Sequence, residues 1–172
     1  MINKRLRSAK LVLAAFPSAK GFGYAVFDGQ KSLIDWGVKG VHGAQKNRES
    51  LQKMRELLTF YRPDVVVLED YEGHGSRRAR RIEILINLFA AHARGEGIRT
   101  SSYSRAEVRA CFGLTAKREI AEAIVREFPE LEPRLPPIRR IWMSEDRRMN
   151  IFDAVALAIT FFNTKRQKKQ AA

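Results

Sequence analysis

Val65-Val66-Val67-Leu68 is the segment that most narrows what this chain can fold into. Side chains alternate between the two faces of a strand, so an exposed face would show a polar residue at every second position. Four apolar residues in a row instead fit a strand covered on both faces. Helices packed on both sides of a sheet are the usual cover. The flanking sequence agrees. Leu51, Met54, Leu57, Leu58 and Tyr61 recur at helical spacing before the run, and Pro63 stops that helix. After the run come Glu69-Asp70, a glycine-rich turn, and a helix expected over residues 81–93 that Gly95 and Gly97 close.

The rest of the chain falls into place around that strand. Residues 11–15 read as a buried strand, 17–21 as a turn, 22–27 as a second strand and 33–38 as a third. Asp28-Gly29 is a tight hairpin signal, so these three strands form an antiparallel meander. Residues 98–103 read as a fifth strand. Ser104 can cap a short helix over 105–110, and Thr115 can cap another over 117–128. A proline-rich connection, 129–137, leads to a final helix over about 145–162. That helix is apolar nearly all round after Ile151 and so belongs in the core. The expected fold class is α/β: a mixed five-stranded sheet, three antiparallel then two parallel strands, flanked by helices. At 172 residues the chain is the size of one domain. The expected organisation is a basic arm (1–10), a single domain (11–163) and a basic tail (164–172).

Charge constrains the partner. Lys and Arg number 32 against 19 Asp and Glu, a net +13. Such a surplus repels itself in the folded state, and contact with a polyanion relieves it through counterion release. Lys4, Arg5, Arg7 and Lys10 at one end and Lys165, Arg166, Lys168 and Lys169 at the other supply eight of these charges. Removing those eight from +13 leaves about +5, so the body is basic too. Nucleic acid is the expected partner. No apolar run reaches the roughly 18 residues of a membrane span, so no membrane partner is expected. A single cysteine, Cys111, fits a reducing compartment, hence a cytoplasmic location.

Two carboxylates stand out. Glu69 lies at the C-terminal end of the buried strand, where α/β sheets place their sites. Asp153 lies in an apolar helix, where a carboxylate is costly unless it is ion-paired or binds metal. Asp146, Asn150 and Asp153, spaced four and three apart, share a helical face. Meeting Glu69 across a cleft, they would suit Mg²⁺, and two such ions can clamp an in-line phosphate displacement. Helix rise separates Asp146 from Asp153 by about 10 Å, too far for one ion, so Asp146 fits better as a first-turn acid.

Arg77, Arg78, Arg80 and Arg81 follow the glycine turn, placed either to hold phosphates or as a solvated helix start. Lys117 and Arg118 open a helix, where backbone N–H groups favour phosphate. Arg134, Arg139, Arg140 and Trp142 make a basic patch with an aromatic. There is no GxxxxGK[ST] loop and no GxGxxG before a helix, and His42, His74 and His92 lack zinc spacing.

At these residues the sequence resembles the RuvC-like Holliday junction resolvases of the RNase H-like superfamily. The resemblance runs from about Leu11 to Phe162. Residues 16–24, Phe-Pro-Ser-Ala-Lys-Gly-Phe-Gly-Tyr, look like the end of the family's first strand and its glycine-tyrosine second strand. Tyr61-Arg62-Pro63-Asp64 with Leu68-Glu69 looks like its second catalytic strand. Tyr103 to Val108 with Thr115-Ala116-Lys117 looks like its fifth strand and lysine-bearing helix start. Residues 150–160, from Asn150-Ile151-Phe152-Asp153 onward, resemble its closing acidic helix and are the most specific match. The resemblance implies a homodimer in which four carboxylates hold two Mg²⁺ (or Mn²⁺) ions to cut branched DNA.

On this chain the second position is Glu69 and the last is Asp153. The third is Asn150, a weaker neutral ligand. The first is Phe16, where the family has Asp. Asp70 and Asp146 are nearby acids that could compensate. Two readings stay open. One is an Mg²⁺-dependent endonuclease with an altered site, in which Glu69, Asp153 and Asp70 hold metal while Asn150, Asp146 and Lys117 assist. The other is an inactive nuclease-fold binding module for DNA or RNA. Phe16→Asp is expected to create or raise cleavage of a four-way junction. The apolar residues of 82–89 could serve a dimer surface or the core.

Overall fold

The structure is a computed structural model that describes residues 10–74 and 76–171; of the expected N-terminal arm, all but Lys10 lies outside them. β1 (Leu11–Ser18), β2 (Gly21–Asp28) and β3 (Leu33–Gly40) form the antiparallel meander. β4 (Val65–Glu69) runs parallel to β1, and β5 (Arg99–Tyr103) runs parallel to β4. The strand order is β3-β2-β1-β4-β5. Helices α1 (Lys46–Tyr61) and α2 (Arg80–Gly95) cover one face. Helices α3 (Arg105–Phe112), α4 (Lys117–Glu127) and α5 (Met149–Gln170) cover the other.

Alternation along the strands divides the core in two. Leu11, Leu13, Val66 and Leu68 pack with Met54, Leu85 and Phe89 under α1 and α2. Val12, Ala14, Val65 and Val67 pack with Ile124, Phe152 and Val155 under α4 and α5. The all-apolar reading of β4 therefore holds: each face meets its own helical layer. In α2, Ile82, Leu85, Ile86 and Phe89 are core, while Ile84 and Leu88 stay exposed.

Four boundaries differ from the sequence reading. β1 continues through Phe16 and Pro17 to Ser18. Its paired register with β4 stops at Ala14, so the missing N–H of Pro17 breaks no ladder on that side. At α4, Ala116 rather than Thr115 holds the N-cap position, with no side-chain cap. Ser104, by contrast, forms the full capping box with Glu107 at α3. α5 begins at Met149, not near 145, because Asp146 Oδ1 accepts the Arg148 N–H at 2.9 Å. That local turn competes with helix. At its other end α5 runs to Gln170 and takes in most of the expected tail from residue 164. Lys168 and Lys169 sit in its last turn, where the helix dipole favours cations.

Gly23 sets the height of α5 above the sheet. It pairs with Phe16 across the β1–β2 ladder. A Cβ at Gly23 would lie 2.2 Å from the carbonyl oxygen of Asn150. Only glycine lets the first turn of α5 come this close, and that approach brings Asp153 over the end of β1.

Candidate functional site

β1 and β4 end side by side. Phe16 and Glu69 point to the face that α5 covers, because each is an even number of residues from Ala14 and Val67 on that face. Glu69 is buried at 6 % exposure. The N-terminus of α4 delivers Lys117 and the first turns of α5 deliver Asp153. With Ser76, Arg77 and Arg78 these side chains line one cleft, joined by Arg105, Val108 and Arg109 of α3.

Their contacts form a chain of alternating charge with an aromatic ring at its centre. Arg78 Nε lies 3.0 Å from Glu69 Oε2. The two atoms make no aligned hydrogen bond, so charge alone holds the pair. Arg78 also donates to the Pro17 carbonyl, and its guanidinium carbon sits 4.8 Å from the centre of the Phe16 ring. On the other side, Lys117 Nζ sits 5.3 Å from the same ring centre. That ammonium is 3.1 Å from Asp153 Oδ2 and 2.9 Å from Glu145 Oε1. Phe16 is thus flanked by two cations, and each cation is matched by a carboxylate.

Burial and pairing compete in setting the titration of Asp153 and Lys117. Desolvation pushes the Asp153 carboxyl up to about 6, against the opposing pull of Lys117. For Lys117, burial works to lower the ammonium. The Asp153 and Glu145 carboxylates outweigh it and raise Lys117 above its ordinary value.

Of the residues that the sequence singled out, Glu69, Asp153, Lys117, Arg77 and Arg78 meet in the cleft. The others have different surroundings. Asn150 is buried with its backbone against Gly23 and is not among the cleft's lining. Asp146 is tied to Arg148, whose hydrogen bonds hold its carboxyl below the ordinary range. Asp70 Oδ1 accepts the Glu72 N–H at 3.1 Å and lines a separate hollow beside Tyr71 and Arg94. Arg80 pairs with Glu83 at 3.3 Å. Arg81 bonds Asn47 and the Ser18 and Ala19 carbonyls, tethering the β1–β2 turn. Arg118 pairs with Glu122 and donates to the Pro136 carbonyl. Sequence reasoning missed Arg105, Arg109 and Glu145. The signal for the two arginines was their i, i+4 spacing just past β5, which puts both on one face of α3.

A divalent cation of the Mg²⁺ type requires about six oxygen ligands. The cleft offers two carboxylates on either side of an aromatic ring, each already 3.0–3.1 Å from a protein cation. Among the described residues no group of three or more His, Cys, Asp or Glu is arranged to hold a metal ion. An incoming ion would also meet Arg77, Arg105 and Arg109. These residues do not fit a two-metal centre.

No protein-family model matches the sequence, and no curated protein matches it. The fold does have solved counterparts. The chain is similar to RuvC of Thermus thermophilus in complex with a Holliday junction substrate, at 18 % identity and a TM-score of 0.63. That match covers 91 % of this chain and 96 % of RuvC. It is also similar to the yeast mitochondrial Holliday junction resolvase Ydc2, at 15 % identity and a TM-score of 0.60, covering 94 % and 81 %. The fowlpox virus resolvase with substrate Holliday junction DNA aligns at 15 % identity and a TM-score of 0.54, covering 89 % and 99 %. At such identities the likeness is one of fold, and the fold is RuvC-like and RNase H-like.

Proposed function

We propose that this chain binds branched DNA through a resolvase-type fold and does not cut it. The observation that carries the reading is the Phe16 ring held between Arg78 and Lys117, with Glu69 and Asp153 neutralised by those two cations. The basic cleft supports the binding half. Arg77, Arg105 and Arg109 line it beyond the two paired cations, and Arg is suited to bidentate phosphate contact. Two of the solved counterparts are complexes with junction DNA, which supports branched rather than linear DNA. A homodimer is supported only by Ile84 and Leu88, exposed on α2; sedimentation of the free protein tests it.

The test is binding and cleavage of four-way junction, linear duplex and single-stranded DNA, with and without Mg²⁺ or Mn²⁺. The expected result is junction binding that weakens steeply with salt, is unaffected by chelation, and yields no cleavage. Wild-type cleavage that Glu69→Gln abolishes would overturn the reading in favour of an altered metal-dependent nuclease. The geometry also sharpens the role of Phe16. Phe16→Asp alone leaves Arg78 on Glu69 and Lys117 on Asp153, so it is expected to gain no cleavage. Any gain requires the same chain to free its carboxylates as well, as Arg78→Ser would free Glu69.

A further inference from the structure

The chain leaves the core after Pro136, which is buried, and returns at Met149, also buried. Both feet of the arch between them are fastened to the start of α4. The Arg118 guanidinium donates to the Pro136 carbonyl, and Lys117 Nζ pairs with Glu145 at 2.9 Å. Because Lys117 lines the cleft, the arch rises at the cleft's edge.

Its side chains are unlike the rest of the surface. Four of the eight exposed large apolar side chains among the described residues fall within positions 138–143. Ile138 is 79 % exposed, Ile141 96 % and Trp142 77 %. Apolar exposure gathered in one place marks an interaction surface. The charge says which kind. Arg134, Arg139 and Arg140 are exposed, and residues 133–144 contain no acid. Among the described residues no ion pair engages these three arginines. The Arg140 guanidinium lies 5.5 Å from the Trp142 ring centre. A rigid aromatic face backed by unpaired guanidinium groups suits a partner with flat π faces next to phosphates. Nucleic-acid bases free of their stack have that chemistry, and an inserted apolar wedge of the Ile and Met type favours unstacked steps.

We infer that this arch reads the branch point. Trp142, with Ile141 beside it, stacks on bases exposed where DNA strands part, and Arg139 and Arg140 hold the flanking phosphates. The inference rests on the branched-DNA reading above and adds the element that discriminates branched from linear DNA.

The chain has two tryptophans, Trp36 and Trp142. Trp36 is half-buried against the α4–α5 core, so Trp36→Phe leaves Trp142 as the sole reporter. In that background a four-way junction is expected to quench the fluorescence, and a linear duplex of the same sequence is not. Trp142→Ala, at an exposed position, is expected to keep the fold by circular dichroism. It should weaken junction binding about tenfold and leave duplex binding within about twofold. DNA binding that persists with no quench, or a Trp142→Ala chain that keeps its preference for junctions, overturns this inference alone. A Trp142→Ala effect confined to self-association overturns it in favour of a second copy as partner. Failure of the wild type to bind any DNA overturns both this and the proposed function.

Discussion

In the cleft, Arg78 and Lys117 lie within 3.1 Å of carboxylates and face inward against one aromatic ring. In the arch, Arg139 and Arg140 are exposed beside a bare tryptophan, and no ion pair reaches them among the described residues. The same residue chemistry, cation next to aromatic, thus serves two ends. Where cations meet acids away from water, each is committed to its partner, and removing one cation strands a buried carboxylate. Where they meet only solvent, they contribute little to the fold and remain available to a polyanion. Net charge alone does not distinguish these uses. The geometry of pairing does: it separates the matched cations at the cleft's centre from the arginines of the arch, which no ion pair engages among the described residues.

The sharpest way to break the comparison is to remove one member of a buried pair. Arg78→Ala leaves the Glu69 carboxylate buried and unmatched, and should cost about 3 kcal/mol in urea unfolding. Glu69→Gln in the same chain should recover most of that loss. A cost below about 1 kcal/mol would mean that the cleft is solvated and its cations are free, as in the arch.

A second test uses pH. In the folded chain the Asp153 carboxyl titrates near 6 against an ordinary 3.8. The folded protein therefore holds a proton that the unfolded chain has released between these values, and stability falls as pH rises through that window. Asp153→Asn, which mimics the protonated form, is expected to be more stable than wild type by roughly 1–3 kcal/mol above pH 6. The difference should vanish below about pH 4. Thermal melts across this range that show a constant difference would count against burial as the cause.

The smallest effect on stability belongs to the arch. Arg139→Ala with Arg140→Ala should change unfolding by no more than about 0.5 kcal/mol. The same pair should lower the salt slope of junction binding by about 2. An unchanged slope would show that these arginines meet no phosphate.

Much of the fold was legible because it rests on periodicity. The meander, the doubly covered β4, the cap at Ser104 and the core helix all follow from local pattern. So does the meeting of Glu69 and Asp153 in one cleft, since Glu69 ends the buried strand and Asp153 interrupts an apolar helix. What stayed hidden depends on long-range closure. Arg78 and Arg81 are three residues apart, yet one folds back on Glu69 and the other ties down the β1–β2 turn. Nothing in their spacing distinguishes them. Glu145 sits in a loop, so its contact with Lys117, 28 residues away in sequence, had no periodic signal. Trp142 already stood out beside Arg139 and Arg140, but Ile138 and Ile141 looked no different from core residues until the arch placed them in solvent.

The chain of charges through Phe16 also bears on how such a site changes over generations. Phe16→Asp by itself adds a third carboxylate beside two already matched. Arg78→Ser by itself strands Glu69. Neither change alone supplies a third carboxylate and also frees Glu69, so a metal-binding site here needs coupled substitutions. Arg139 and Arg140 carry no such coupling: among the described residues no ion pair ties them, so either can be exchanged without stranding a buried charge.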